Sequence, residues 1–385
     1  MVPSTQAEST EEQSTDVQSL SKFVLYFLRL GTAGFGGPIA LAGRMERDLV
    51  GERYGIQQQD YLEGLALSQL LPGPLAAQLA MYLGYVRAGF LGASLVGAAF
   101  ITPSFLMVLG ISLLYIRFDG LPWMQAAFHG VGAAVVAIIV RSVTKLAKTT
   151  LKKERLLWVI AATLAVTTAF TGREIVWLVL VAGVVSVAVH NWPRRSQSLA
   201  VIPLIGGLVS IPAGRHWEVL GYFVKSSLFV FGSGLAIIPF LHGGVVEVHH
   251  WLTEQQFLDA IAVAMITPGP VVITVAFIGY LADGLAGAVL AALGVFLPVY
   301  LAVILFAPIY RRLSANTVLR SFVRGVTAAA TGAIAGAIVV IARQSVTSYL
   351  GIVIACATYG ILWKWKLPEP LVVITAGLIG ILIFR

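Results

Sequence analysis

Two Pro-Gly-Pro triplets are the residues of this chain whose type and spacing most directly suggest chemistry. They are Pro72-Gly73-Pro74 and Pro268-Gly269-Pro270. Each proline removes a backbone donor and clashes with the preceding turn, and the glycine lets the chain unwind, so each triplet predicts a broken helix. The helix that follows a break offers unpaired N–H groups, which can bind an anion. We therefore predict an anion site between the two breaks; a pair of structural kinks is the alternative.

A glycine-rich stretch precedes each triplet. The first runs from Gly31 to Pro38 and includes Gly36 and Gly37; the second is Phe231-Gly232-Ser233-Gly234, followed by Pro239. Neither is a nucleotide-binding loop, because the strand context and a Gly-Lys-Ser/Thr sequence are missing. The glycines either permit close helix packing or supply N–H groups to the same cavity.

Two cations occupy equivalent positions about two turns inside apolar helices. Arg29 and Lys225 would be costly there unless they face a protein cavity, and together they could neutralise a tetrahedral dianion. The planar guanidinium of Arg29 suits two oxyanion oxygens especially well. The alternative is that both side chains extend to the nearer membrane surface.

Polar side chains flank the breaks and could replace the lost hydration of an anion. They are Ser68, Gln69, Gln78, Thr267 and Thr274. Glu63 and Asp259 begin the two helices that lead to the triplets. These carboxylates either complement a helix dipole or act as proton-coupling groups or ion-pair partners of Arg29 and Lys225.

Other chemistry lacks a matching pattern. His242, His249 and His250 crowd one loop with Glu247, but their spacing fits no known set of metal ligands. Arg141 and Arg324 lie near the ends of their apolar segments and are interpreted as interfacial anchors. No acid/base or nucleophile set converges, so we expect no enzyme, no cofactor and no metal.

The elements that must position these residues are membrane helices. Of 385 residues, 11% are charged, against roughly 25% in soluble domains. Continuous apolar runs such as 156–170 argue against a β-barrel. The basic residues sit in short loops between apolar segments, so the net charge of +8 indicates membrane orientation and no binding of nucleic acid. Residues 1–21, which lack Lys and Arg, are interpreted as a disordered cytoplasmic tail.

The chain contains an internal duplication. Aligning Phe27 with Phe223 also aligns Glu63 with Asp259 and the two triplets with each other; after one deletion, Pro103 aligns with Pro298. This predicts an all-α polytopic membrane protein with two homologous, inverted repeats of about six helices each. We place the first repeat at 22–196, a connecting segment at 197–217 and the second repeat at 218–385.

Charge counting favours the inverted arrangement. About thirteen apolar segments are long enough to be candidate spans, of which 199–213 is doubtful. With thirteen spans and a cytoplasmic N-terminus, 14 Lys and Arg lie inside and 8 outside; without the doubtful span the count is 12 against 10. A re-entrant Pro-Gly-Pro segment would change this topology. Small residues at 332–336 could pack within one chain or between chains, which leaves a homodimer open.

The motifs resemble those of the chromate ion transporter family in its long, two-domain form. The resemblance rests on Phe35-Gly36-Gly37-Pro38, on residues 65–74, on Gly84-Tyr85, and on the second copy ending at Thr267-Pro268-Gly269-Pro270 with Gly279-Tyr280. It covers nearly the whole chain from Lys22. Many members carry Trp where this chain has Tyr54; Trp251 keeps it in the second half, and Met265 stands opposite Gln69.

The resemblance implies export of chromate, with sulfate as an analogue, by a multi-pass protein of the bacterial inner membrane. We expect alternating access driven by the membrane potential or by proton antiport. A dianion leaving a cell that is negative inside gains about 4.6 kcal/mol per 100 mV. A secondary transporter of another small organic anion or amino acid is the alternative function.

Overall fold

The structure is a computed structural model that describes most of the chain. The described residues are 19–35, 37–52, 54–118, 122–152, 154–171, 176–191, 214–228, 237–310, 316–345, 349–365, 367 and 369–383. They form helices and no strand; Val50 and Gly51 make only isolated bridges to Ile56. The all-α prediction is confirmed.

Fourteen α-helices lie in the described residues, seven in each repeat. The first repeat holds α1 (Leu20–Ala33), α2 (Gly37–Leu49), α3 (Gln58–Leu70), α4 (Leu75–Phe118), α5 (Pro122–Thr150), α6 (Arg155–Thr171) and α7 (Val176–Asn191). The second holds α8 (Arg215–Ser227), α9 (Ile238–Leu241), α10 (Glu254–Ile266), α11 (Thr274–Phe306), α12 (Thr317–Ser345), α13 (Tyr349–Lys364) and α14 (Glu369–Ile383). A π-helical segment, His242–Val248, continues α9.

Apolar length identifies four candidate spans among the described residues: Leu75–Phe118, Gly130–Lys148, Val271–Ile309 and Thr317–Val339. Four further helices are apolar but shorter, at Arg155–Thr171, Trp177–His190, Tyr349–Lys364 and Pro370–Ile383. The protein is therefore a multi-pass membrane protein. The doubtful segment 199–213 lies outside the described residues, and the count of thirteen spans is not confirmed.

The two Pro-Gly-Pro triplets break their helices, as predicted, and each break reverses the chain. A Cβ added to Gly64 would run into the ring of Tyr82, although these residues would be about 27 Å apart along a straight helix. In the second repeat the Thr274 hydroxyl donates to the Ala260 carbonyl at 2.8 Å. Residues 58–70 and 75–87 thus form a helical hairpin with arms of about 20 Å, and because the chain reverses at the triplet, the hairpin begins and ends at the same side.

The helices that precede the triplets form hairpins of the same kind. The Tyr26 hydroxyl in α1 donates to Asp48 in α2 at 3.1 Å, and the rings of Phe23 and Tyr54 are 5.9 Å apart. In the second repeat the Tyr222 ring lies 5.4 Å from that of Trp251. Tyr54 and Trp251 therefore occupy equivalent positions at the base of a hairpin, where either aromatic side chain can pack.

A sharp turn then starts the long spanning arm in each repeat. In α4 it falls at Ala88 and Gly89, and in α11 at Asp283 and Gly284. Both glycines have positive φ, +56° and +60°, which a residue with a side chain adopts only at a cost. The arms 90–118 and 285–306 run back along the preceding short helices, since Gly84 meets Gly92 and Gly279 meets Gly287.

The two repeats are interlocked at their C-terminal ends. A Cβ on Gly325 of α12 would collide with the Ala182 carbonyl of α7. A Cβ on Gly130 of α5 would likewise collide with the Ala376 carbonyl of α14. Each repeat thus packs its last two helices on the other repeat. Gly332 and Gly336 pack on α6, so this small-residue face makes contacts within one chain.

Candidate functional site

The tips of hairpins from opposite repeats meet inside the molecule. The N–H of Gly269, in the second Pro-Gly-Pro triplet, donates to the carbonyl of Gly34 between α1 and α2 at 2.8 Å. The buried Ser104 hydroxyl donates to the Gly31 carbonyl at 3.1 Å, and a Cβ on Gly269 would collide with that hydroxyl. One hairpin of the first repeat therefore touches one of the second tip to tip, at the interface between the repeats.

The first triplet makes the equivalent contact with the second repeat. A Cβ on Gly73 would lie 2.7 Å from the Val299 side chain. Val299 follows Pro298 in the spanning arm of α11, and Ser104 follows Pro103 in that of α4. Each Pro-Gly-Pro tip thus rests on the spanning arm of the other repeat.

Gln78 holds the first tip in shape. Its side chain is fully buried, and its Nε2 donates to the carbonyls of Pro72 at 2.7 Å and Leu71 at 3.3 Å. These bonds fix the amide orientation, and Oε1 is left buried with no partner among the described residues. A buried unpaired acceptor next to a helix break suits water or a proton-bearing ligand.

The helix start at the first tip supplies positive potential. The N–H groups of Ala77 and Gln78 donate to the Pro74 carbonyl, which leaves Leu75 and Ala76 without a helical acceptor. In the second tip, Ile273 N–H donates to the Pro270 carbonyl and Gly269 N–H is used by Gly34. At the first tip, the unpaired N–H groups that begin the short helix are the feature that suits an anion.

The predicted hydroxyls beside the tips are engaged with backbone. Ser68 donates to the Gly64 carbonyl and Thr267 to the Val263 carbonyl, each at 2.7 Å. Gln69 is exposed on α3, and Pro72 is half-buried. Pro74, Pro268 and Pro270 are buried with the glycines at both tips. Gly37 starts α2, whereas Gly36 lies outside the described residues, as does the segment 231–234.

Arg29 and Lys225 take equivalent positions in the first helix of their hairpins. Each is exposed, on the helix side opposite the buried Phe27 and Phe223 respectively. Among the described residues neither cation contacts a Pro-Gly-Pro tip. Their role in anion binding stays a prediction.

The two predicted carboxylates have unequal surroundings. Asp259 is only 2% exposed and accepts hydrogen bonds from the Tyr115 hydroxyl at 2.7 Å and Gln255 Nε2 at 2.8 Å. Glu63 is half-buried and accepts from Gln59 Nε2 at 3.0 Å. Tyr115 belongs to the first repeat and Asp259 to the second, so this contact joins the repeats.

Other polar side chains pair away from the tips. Buried His242 bonds Glu254 at 2.8 Å, and His249 stacks on Trp251. Arg324 contacts Glu154 at 3.3 Å, so it makes an ion pair between repeats rather than serving only as an anchor. No three His, Cys, Asp or Glu side chains converge as metal ligands in the described part of the chain.

Sequence reasoning missed Ser104 and Tyr115, which join the hairpins to the other repeat. The signal for Ser104 was its place directly after Pro103, inside the duplicated region. Tyr115 aligns with Tyr310 in the duplication, and a matched tyrosine pair at the ends of two apolar arms could have indicated a shared role.

Comparison with known proteins agrees with this architecture. The family described as chromate transporter matches residues 21–187 and again 217–381. A chromate transport protein of Cupriavidus metallidurans is 51% identical over 378 residues, covering 95% of this chain and 94% of the relative. A probable chromate transport protein of Synechococcus elongatus is 48% identical, over 94% and 95% of the two chains.

A more distant relative extends the same likeness. The chromate transport protein of Pseudomonas aeruginosa is 34% identical over 99% of this chain and 97% of its own. No solved structure matches. The two matched segments coincide with two repeats whose hairpins meet tip to tip, and this chain belongs to the chromate transporter family.

Proposed function

We propose that the chain exports chromate across the bacterial inner membrane and that the ion passes between the hairpin tips. The observation that carries this proposal is the tip-to-tip contact of Gly269 with Gly34. It brings helix breaks from opposite repeats together where an anion can meet unpaired N–H groups, the arrangement used by inverted-repeat transporters. The names of the most similar relatives support chromate as the oxyanion.

The proposed membrane topology has nine full spans and four re-entrant hairpins. The long arms of α4 and α11, together with α5 to α7 and α12 to α14, cross the membrane. The connecting segment must then cross once for the repeats to be inverted. Because each hairpin begins and ends on the same side of the membrane, this topology places Arg44, Arg47 and Arg53 inside. The count of Lys and Arg then changes from 14 inside and 8 outside to 17 inside and 5 outside. This stronger inside bias supports the re-entrant arrangement.

The site in this proposal consists of the tips with their flanking polar groups. It comprises Gly36, Gly37, Ser68, Gln69, the two triplets and Thr267. Gln78 fixes the shape of the first tip. Arg29 and Lys225 are proposed as its cations. The two interlocked repeats supply both halves of the site from one chain, so it needs no homodimer.

Export is the direction that the membrane potential favours. A dianion moving out of a negative interior releases about 4.6 kcal/mol per 100 mV. Glu63 and Asp259 are the proposed carboxylates for a coupled proton. Flux that depends on the potential alone supports a uniporter, and flux that requires a pH gradient supports antiport.

The Arg29→Ala variant tests the proposed cation. We expect loss of radiolabelled chromate uptake by inverted membrane vesicles at unchanged protein level, because a dianion at the tips would lack its counter-charge. Arg117→Ala, at the exposed end of α4, is the matched control and should transport normally. Unchanged uptake by Arg29→Ala would remove this residue from the site.

Competition distinguishes the alternative substrate class. Excess sulfate should inhibit chromate uptake by these vesicles because it has the same charge and tetrahedral shape. Inhibition by an amphiphilic organic anion or an amino acid, with sulfate inert, would favour the alternative transporter.

A further inference from the structure

The first and second Pro-Gly-Pro hairpins differ in how much of one helix face they expose. On α10 the stripe formed by Leu258 and Met265 is buried, with Leu258 only 2% exposed. The equivalent stripe on α3 is Leu62 and Gln69, and Leu62 is 52% exposed. Leu62 and Leu258 are the same residue type at equivalent positions. The difference in their exposure therefore lies in what covers the two helices.

Helices of the other repeat cover α10 but separate from α3. The Leu258 side chain reaches Gly132 of α5, where an added Cβ would lie 3.8 Å from it. The duplication makes Thr327 of α12 the counterpart of Gly132. On the α3 side, Leu70 near the tip packs against the apolar cluster of α6, α7 and α12, whereas Leu62 two turns earlier is open. Near the tip α3 thus packs on this cluster, and two turns earlier its Leu62 face is uncovered; we call the space beside Leu62 between α3 and α12 the wedge.

A hydrogen bond between the repeats accompanies the closed face. Asp259 accepts from the Tyr115 hydroxyl of the first repeat, and the Tyr115 ring packs 5.1 Å from Phe277.

We infer that the wedge between α3 and α12 is the entrance through which the anion reaches the tips, and that the contact of α10 with α5 is the closed gate. This inference rests on the proposed function. During transport the two faces exchange: Leu62 packs on Thr327 while Leu258 leaves Gly132, and the Tyr115–Asp259 bond opens. With the proposed topology the open wedge faces the cytoplasm, the side from which an exporter loads. Arg324 of α12, one turn before Thr327, lies near this entrance in its ion pair with Glu154.

Thiol labelling tests the open and closed faces. In a Cys356→Ser background, which removes the single native cysteine, Leu62→Cys and Leu258→Cys form a matched pair. A charged, membrane-impermeant thiosulfonate applied from the cytoplasmic side should modify Leu62→Cys on the order of tenfold faster than Leu258→Cys, because the gate at Leu258 is closed in most molecules. A lipid-facing Leu62→Cys would stay unmodified from both sides, and that result would overturn the inference.

Crosslinking tests the exchange. With copper phenanthroline as the oxidant, the pair Gly132→Cys with Leu258→Cys should form a disulfide readily in the resting protein. Leu62→Cys with Thr327→Cys should form one only when sulfate is present, the analogue that, unlike chromate, does not itself oxidise thiols. Either crosslink should stop flux, and reduction should restore it. Full flux with either disulfide closed would overturn the exchange.

Chromate flux measured on the same membranes separates this inference from the proposed function. Normal chromate flux together with an unreactive Leu62→Cys would overturn the inferred entrance and leave the proposed function standing. A reactive Leu62→Cys, crosslinking that does not depend on sulfate, and no flux of chromate in any variant would together overturn the proposed substrate and the exchange.

Discussion

At the scale of single residues, Gly269 is where the requirement for glycine is sharpest. Its φ is +97°, and a Cβ would collide with the buried Ser104 hydroxyl. We predict that Gly269→Ala destabilises the protein by at least about 1–2 kcal/mol from the backbone conformation and lowers the unfolding temperature in detergent. Gly360→Ala, in an α13 position with open space, should be neutral or stabilising. Equal unfolding temperatures of the two variants would contradict close packing at the second Pro-Gly-Pro tip.

The prolines and glycines that form the tips could be recognised from the sequence, but the contacts of the neighbouring side chains could not. Proline and glycine chemistry predicted both helix breaks, because those constraints are local. The hydroxyls of Ser68 and Thr267 donate to carbonyls of their own helices, and their role beside an anion stays a prediction. Arg29 and Lys225 are equivalent as the duplication predicted, yet both point away from the packed core of their hairpins. Side-chain direction depends on which helix face is covered, and this is a tertiary property.

At the scale of elements, four hairpins replace candidate spans. A hydropathy pattern is the same whether a broken helix continues or reverses, so the sequence could not separate the two. The reversal became visible through contacts such as Tyr26 with Asp48 and Thr274 with Ala260. The connecting span at 199–213 lies outside the described residues, and its crossing stays a prediction.

The sidedness of two connections tests the hairpins directly. Gln57, between α2 and α3, and His250, between α9 and α10, are both exposed. In a Cys356→Ser background we predict that Gln57→Cys reacts with an impermeant maleimide from the cytoplasmic side and His250→Cys from the outside. Thirteen full spans predict the reverse for both positions, so reversed labelling would refute the re-entrant hairpins.

At the scale of the whole molecule, the duplication produces one interlocked transporter. The last two helices of each repeat pack on the other repeat, at Gly325 with Ala182 and at Gly130 with Ala376. The sequence predicted two repeats because prolines and glycines stay aligned across the halves, and the distribution of Lys and Arg favoured the inverted arrangement. It could not predict the interlocking, since small residues fit contacts within one chain and between chains equally well.

We propose that this chain carries chromate outward through a site between the repeats. The most direct measurement is radiolabelled chromate uptake by inside-out proteoliposomes of the purified protein, with the membrane potential set by a potassium gradient. We predict saturable uptake that rises when the lumen is made positive and falls with excess sulfate. Uptake no greater than that of protein-free liposomes at every potential and pH gradient would contradict the account.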